Sequence, residues 1–443
     1  MDIIRRKKPM GKTPKIICIL AGLSASFLPM PGQAETLNQA FKAALGGDWR
    51  LKATEERVAA AEEDLSAARS LRLPSLSGEA SYTVLDNTPS TSISISPLLP
   101  SLTLPMLEDD RFFVSSVTVS LPVFTSFRIT GAVKAAEASV SAERSGLGQT
   151  VQDIRLKTAE AYVAVLRARR GLAVAQSNVT ALSAHARDVD HFYAQGLVPK
   201  NDALAVQVAL ADARQTEIRV ANALALACSA YNRQLGRPLD AEVVLDDLSM
   251  ETHENEPDPE TVTQRALENR PEIRQLADQA AALSFKARSI RASALPQVLV
   301  SGSFHHVTNT PLDEENIWAG SVGVRWDLFD GGVTRHQARS EERKKAAVEN
   351  MRRDAESLIR LQVRQALLDV SETTKRIEVA RQALEQAEEN LRIAKNRYAR
   401  EIGSNTEVLD AETLRIKSMT NHDHAVYDRV MAGLRLKRAT GDL

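Results

Sequence analysis

The sequence predicts a mainly α-helical protein with a small β part. The helices are long and pack as a coiled-coil barrel. Four strands per chain contribute to a trimeric, 12-stranded transmembrane β-barrel, and the whole is internally duplicated. Three observations carry this reading. The chain is written twice, its proline-free stretches are too long for globular helices, and four short segments alternate apolar with polar residues.

The duplication is read from constant offsets. Val117–Phe124 corresponds to Val322–Phe329, 205 residues on, and Tyr193, Ala194 and Leu204 correspond to Tyr398, Ala399 and Leu409 at the same offset. Earlier anchors lie 222 apart: Ala44-Leu45 with Ala266-Leu267, and Leu73-Pro74 with Leu295-Pro296. The difference of 17 residues falls in a Pro/Ser/Leu-rich stretch around 88–110, so the first copy carries a longer loop there. Repeats of this kind fix the architecture before any local reading. Residues 35–239 form the first repeat, with strands expected at about 75–86 and 113–124. Residues 259–443 form the second, with strands at about 297–307 and 317–329, and 240–258 is an equatorial linker. Each copy reads as helix, strand, strand, very long helix, turn, helix.

Residues 1–34 are a separate object. Six basic residues (Arg5, Arg6, Lys7, Lys8, Lys12, Lys15) precede an apolar run from Ile16 to Met30, and Gly32-Gln33-Ala34 forms a small-x-small cleavage signal. This is the pattern of a secretory signal peptide. The run is about 15 residues, short of the roughly 20 that a membrane span needs. Removing six basic and one acidic residue from totals of 56 and 57 leaves 50 and 56, a net charge of -6. That balance speaks against a nucleic-acid partner. Only Cys228 remains after the leader, so no internal disulfide forms, and Cys18, flanked by isoleucines, does not match a lipid-attachment site.

Between Thr130 and Tyr193 there is no proline, and from Thr334 to Arg400 neither proline nor glycine. Alanine, leucine, glutamate, lysine and arginine dominate, all strong helix formers. A helix of about 60 residues is about 90 Å long. Leu384, Ala387, Leu391, Ala394 and Tyr398 step by three and four, the spacing of a left-handed coiled coil. Both long helices break at matching places. Gly196, Leu197 and Val198 reverse the first; Gly403, Ser404 and Asn405 reverse the second. Glu401 occupies the register position of Gly196, so the second helix is expected to turn slightly later.

The strand segments place Leu76, Ala80, Tyr82 and Val84, then Val117, Val119, Leu121 and Val123, on one face each. Val298, Val300 and Phe304, then Trp318, Val322, Val324 and Trp326, repeat the pattern. Serine, threonine and charged residues occupy the other face. Lipid outside and water inside would produce this alternation, as would a soluble sheet on a core. No stretch of the mature chain is apolar enough for a spanning helix, so any span must be a closed barrel. Four strands cannot close one, and three chains would supply twelve.

The chain resembles the TolC-type outer-membrane efflux proteins. The resemblance rests on Leu73-Pro74-Ser75-Leu76, Ala294-Leu295-Pro296, Leu121-Pro122-Val123-Phe124 and above all Trp326-Asp327-Leu328-Phe329-Asp330-Gly331-Gly332. Tyr193-Ala194-Gln195-Gly196, Asn269-Arg270-Pro271-Glu272 and Thr406–Glu412 add to it. It implies a homotrimer with its barrel in outer-membrane lipid and its helices extending through the periplasm. It implies a periplasmic adaptor docking at the hairpin tips (Gly196, Leu197, Val198, Gly403, Ser404, Asn405), and a proton-driven or ATP-driven inner-membrane pump. Phe329, Asp330, Gly331 and Gly332 are expected to form the barrel-to-helix turn. Thr125-Ser126 replaces Asp-Gly at the equivalent place in the first copy.

No catalytic constellation, phosphate loop or Cys-x-x-Cys pair is present, and no cofactor or metal is expected. Asp410 and Glu412, one turn past the second tip, are candidate acids at a periplasmic entrance. Three functions fit: export of small molecules or metal ions by a tripartite system, the exit duct of type I protein secretion, and a soluble periplasmic coiled-coil scaffold.

Overall fold

The computed structural model describes residues 34–93, 102–105, 109–248, 258–308 and 314–443. The expected leader lies outside these residues except for Ala34, as do parts of the 88–110 loop and of the 240–258 linker. The first half runs α1 (Leu37–Gly47), α2 (Trp49–Ser70), β1 (Ser75–Val84), β2 (Ser90–Ile93), β3 (Leu102–Pro105), β4 (Arg111–Phe124), α3 (Arg128–Ala194) and α4 (Lys200–Gln234). The second runs α5 (Pro259–Asn269), α6 (Pro271–Ser293), β5 (Gln297–Val307), β6 (Asn316–Arg325), α7 (Val333–Tyr398) and α8 (Asn405–Thr440). The halves share one order of elements, except for the β2–β3 hairpin. That hairpin falls in the first copy's longer loop and, among the described residues, raises the strands from the expected four to six.

Short helices precede long ones for local reasons. Thr36 caps α1 in a reciprocal pair with Gln39, a capping box. Asp48 ends α1 and caps α2 by accepting from the Arg50 amide at 2.7 Å. In the second half Asp258 caps α5 through the Thr261 amide, and Pro271 opens α6, where a missing N–H costs nothing. The long helices α3 and α7 span 67 and 66 residues, about 100 Å each. Among the described residues no helix is long and apolar enough to cross a membrane.

The four main strands form one antiparallel sheet in the order β1-β4-β5-β6. Its central ladder, β4 with β5, joins the two halves. Pro122 in β4 lies beyond the start of β1, whose first residue, Ser75, pairs with Ser120. No β1 residue therefore stands opposite it; on the other side it pairs with Leu299, and the β4–β5 register shifts beside it. β6 ends at Arg325, four residues short of the expected 329, because its partner β5 begins opposite it at Gln297.

Burial concentrates in separate cores below the sheet. At the equator Tyr162, Ile154, Leu166 and Tyr231 pack with Ala40 and Ala44 of α1. The duplicate of this packing sets Ile359 and Val363 of α7 against Val262 and Ala266 of α5. Charges lock the same level. Arg438 of α8 bonds Asp153 at 2.7 Å and Glu272 at 2.8 Å, and Arg270 bonds Glu272 at 2.7 Å and also Gln362. A third core, Leu182, Val189, Val206, Leu391, Tyr398 and Val408, lies at the far end of the helices.

Candidate functional site

The sheet has two unlike faces. Across β1, β4, β5 and β6 the row Gly78, Val117, Phe304, Trp318 is apolar. The row Ser75, Ser120, Ser301, Ser321 on the other face is entirely serine. The serine hydroxyls pair across strands at 2.7 Å in both outer ladders. Trp318 is 81% exposed and packs against Phe304 in a tilted pair with ring centroids 4.9 Å apart. A face of exposed Trp, Val, Leu and Tyr suits lipid, and a serine face suits water. The outer strands β1 and β6 have unpaired edges, as an open segment of a barrel would.

The strand-to-helix junctions repeat their conformation with different residues. Gly331 and Gly332 both have positive φ, at 65° and 90°. Their counterparts Ser126 and Phe127 take the same left-handed conformation, at 49° and 68°, which disfavours side chains. The Ser126 hydroxyl donates to the Pro296 carbonyl and the residue is buried, which holds the strained turn. In the second copy Asp330 accepts from the Gly332 and Thr334 amides at 2.8 Å. Hydrogen bonds from Thr334 and Gly332 keep its carboxyl low, at about 2. Phe329 is fully out in solvent beside this turn.

At the opposite end the two hairpin tips also share one geometry. Leu197 donates to the Phe192 carbonyl, and Ile402 donates to the Arg397 carbonyl, a matched pair of Schellman closures. Gly196 takes φ 77° and Glu401 takes φ 62°. The expected later turn at the second tip is therefore corrected: the helix ends in register, and Glu401 itself adopts the glycine conformation. Gly403 serves another need, since a Cβ there would sit 3.0 Å from that of Arg397.

Gly196, Leu197 and Ser404 are exposed and Val198 is half-buried. Asn405 is turned inward and is only 3% exposed. It lies 2.8 Å from His185 Nε2 and donates to the Asp202 carbonyl at 3.2 Å. His185 and Phe192 both pack edge-on against Tyr398. Asp410 is exposed. Glu412, 3% exposed, bonds Arg415 at 2.5 Å and lies 3.8 Å from Lys395. Higher in the bundle Asp428 of α8 bridges Arg167 of α3, at 2.5 Å, and Arg376 of α7. The inter-hairpin roles of His185 and Asp428 escape sequence reasoning. For His185 a signal existed, because it interrupts the apolar stripe Leu182, Ala186, Val189. Among the described residues no group of three or more His, Cys, Asp or Glu could hold a metal ion.

An open four-stranded sheet with a lipid-type face, carried on helices about 100 Å long, is the architecture of an outer-membrane channel protein. The family model described as outer membrane efflux protein matches residues 40–237 and 262–442, and the chain belongs to that family. It is accordingly an outer-membrane protein whose long helices extend into the periplasm. No curated protein matches the sequence. Among solved structures, the outer-membrane channel OprN superposes with a TM-score of 0.77 at 18% identity, covering 92% of this chain and 90% of that one. The outer membrane protein VceC from Vibrio cholerae gives 0.76 at 18% identity, over 91% and 96%. The open state of the MtrE outer membrane channel from Neisseria gonorrhoeae gives 0.72 at 16% identity, over 91% and 88%. At these identities the likeness is one of fold.

Proposed function

We propose that the chain is the outer-membrane subunit of a tripartite export system. Three copies close a 12-stranded barrel, and the pore passively conducts small molecules or metal ions. An inner-membrane pump delivers them through a periplasmic adaptor seated on the hairpin tips. The observation that carries the reading is the two-faced sheet with two open edges. Backbone groups at those edges must be paired in lipid, and closure with neighbouring copies is the economical way to do so. A second feature supports it. Met351, Leu358, Leu361, Leu368 and Val379 of α7, and Leu204, Val208 and Ile218 of α4, are about half exposed or more. Seams of this kind on long helices find partners in neighbouring helices. Asp410 remains the candidate entrance acid, whereas Glu412 acts as a brace within the tip.

The test is conduction by the purified protein in planar bilayers, together with accumulation of candidate small molecules in a deletion strain. A heat-labile trimer that carries ions, and a strain that retains its toxic compounds, are expected. Recovery as a detergent-free soluble monomer would leave the scaffold reading in its place. Loss of a secreted polypeptide without any change in small-molecule accumulation would favour the type I secretion duct.

A further inference from the structure

The serine face of the sheet carries its charges at two levels. Glu79, Ser116, His305 and Ile317 form one row across β1, β4, β5 and β6. Each lies four residues from the serine row, so all share its face. Glu79 is the sole carboxylate in these four strands. It is exposed, with no ion-pair partner among the described residues. At the helix end of the same face Arg325 stands in register with Gln297. The Arg325 side chain is 83% exposed, and Gln297 accepts from Arg128 at 3.2 Å. Asp327 lies 3.7 Å from Arg325 and offsets one of the two guanidiniums. Asp330 is occupied at the first turn of α7 by the Gly332 and Thr334 amides. Two cations against one free acid leave the base of the sheet positive in every copy.

The rows between the two levels hold only serine, threonine, alanine, proline, leucine and glycine on this face. Along β5 the levels stand eight residues apart, from His305 to Gln297, about 26 Å. The serine face is also the hollow one. Along β4, Phe112, Val114, Ser116, Thr118 and Ser120 are half-buried, whereas Phe113, Val117, Val119 and Val123 on the other face are exposed. Side chains on the concave side of a curved sheet shield one another, and those on the convex side splay apart.

We propose that the barrel is polarised along its axis, with a negative ring at Glu79 toward the outer mouth and a positive ring at Arg325 and Arg128 toward the tunnel, and that it therefore passes ionic current more readily in one direction. The inference rests on the channel reading above. Twelve strands about 4.8 Å apart, tilted by about 40°, close a barrel of about 12 Å radius. Side chains reaching inward then set the three carboxylates about 7 Å from the axis. At about 0.1 M salt the Debye length is about 10 Å, so the ring's field reaches the axis and enriches monovalent cations about fourfold. The base ring does the same for anions. The rings are farther apart than either field extends, so they act separately. With the outer side positive, cations enter through the Glu79 ring and anions through the Arg325 ring, and both collect between them. The opposite voltage draws both out and depletes the middle. The larger current therefore flows with the outer side positive.

Current–voltage curves of the full trimer in planar bilayers test it. Polar helices about 100 Å long do not cross a bilayer, so the side of addition is the periplasmic side. In about 0.1 M KCl the currents at equal and opposite voltages should differ about twofold. The ratio should grow in about 0.01 M salt and vanish near about 1 M, where the Debye length is about 3 Å. Glu79→Gln and Arg325→Gln should each bring the ratio toward one. Ser116→Glu, which adds an acid to the Glu79 row, should raise it. All variants are first shown to form the heat-labile trimer. Symmetric parent currents in dilute salt, the opposite sign, an asymmetry that persists near about 1 M, or one that survives unchanged in both neutral variants overturns the inference and leaves the channel reading standing. A trimer that carries no current at any voltage removes the channel reading and the inference with it.

Discussion

The Glu272→Gln substitution removes one buried charge from a network of two arginines. Glu272 accepts from Arg270 and Arg438, and all three side chains are at least six-sevenths buried. Burial works against its charge, but the hydrogen bonds from Arg270 and Arg438 outweigh it and hold the carboxyl at about 2, against 4.5 unperturbed. That depression corresponds to roughly 3 kcal/mol of stability at neutral pH. The amide keeps the shape and loses the charge, leaving two buried guanidiniums with Asp153 as their remaining anion. A loss of about 2–3 kcal/mol is therefore expected at about pH 7. Since the folded pKa is depressed, the contribution is present above the unfolded value. It is lost as pH falls from about 4.5 toward about 2. Denaturant unfolding of parent and variant, followed by far-UV circular dichroism across pH, measures the gap. It should be widest near neutrality and shrink in acid. A variant as stable as the parent at neutral pH, or a gap that widens in acid, would refute the reasoning.

Three further substitutions probe other levels. Val322→Arg puts a charge on the exposed apolar face of β6 and should cost about 2–4 kcal/mol if that face meets lipid; Ser321→Arg, on the serine face, should assemble normally, both judged by the yield of heat-labile trimer. Glu401→Val should cost about 1–2 kcal/mol, because a β-branched residue resists the left-handed conformation, while Glu401→Gly should change stability by less than about 1 kcal/mol; thermal unfolding distinguishes them. Tyr162→Phe removes a buried hydroxyl lying 2.7 Å from the Glu35 and Asp246 carbonyls, and about 1 kcal/mol should go with it, measured by the same unfolding assay.

The long helices were legible because the stretch from Thr334 to Arg400 has no proline or glycine and is dominated by strong helix formers. The strands were legible because one face must differ from the other at every second position. The β2–β3 hairpin was not, since Ser90–Ile93 and Leu102–Pro105 are too short to show a period against their proline-rich surroundings. The geometry of the second tip was hidden for another reason. Sequence shows a glutamate where a glycine is expected, but not that the Schellman hydrogen bonds are strong enough to hold it at positive φ. Asn405 was readable as a tip residue, but its inward orientation depends on His185, 220 positions earlier. Contacts between copies of a repeat lie beyond any local pattern.

The ladder between β4 and β5 pairs Val117 with Phe304, 187 positions apart. The shortest pairing in that ladder, Phe124 with Val298, still spans 174 positions. While the chain emerges from the inner membrane amino end first, β4 must wait for α3, α4, α5 and α6 to be delivered before β5 arrives. Until then the β1–β4 hairpin presents an apolar face and an open edge to water, the combination most prone to pair with the wrong strand. Closing so long a loop also slows the correct pairing. A half-finished sheet of this kind is expected to need shielding during transit. The protein's yield should be more sensitive to periplasmic holding factors than its finished stability would suggest.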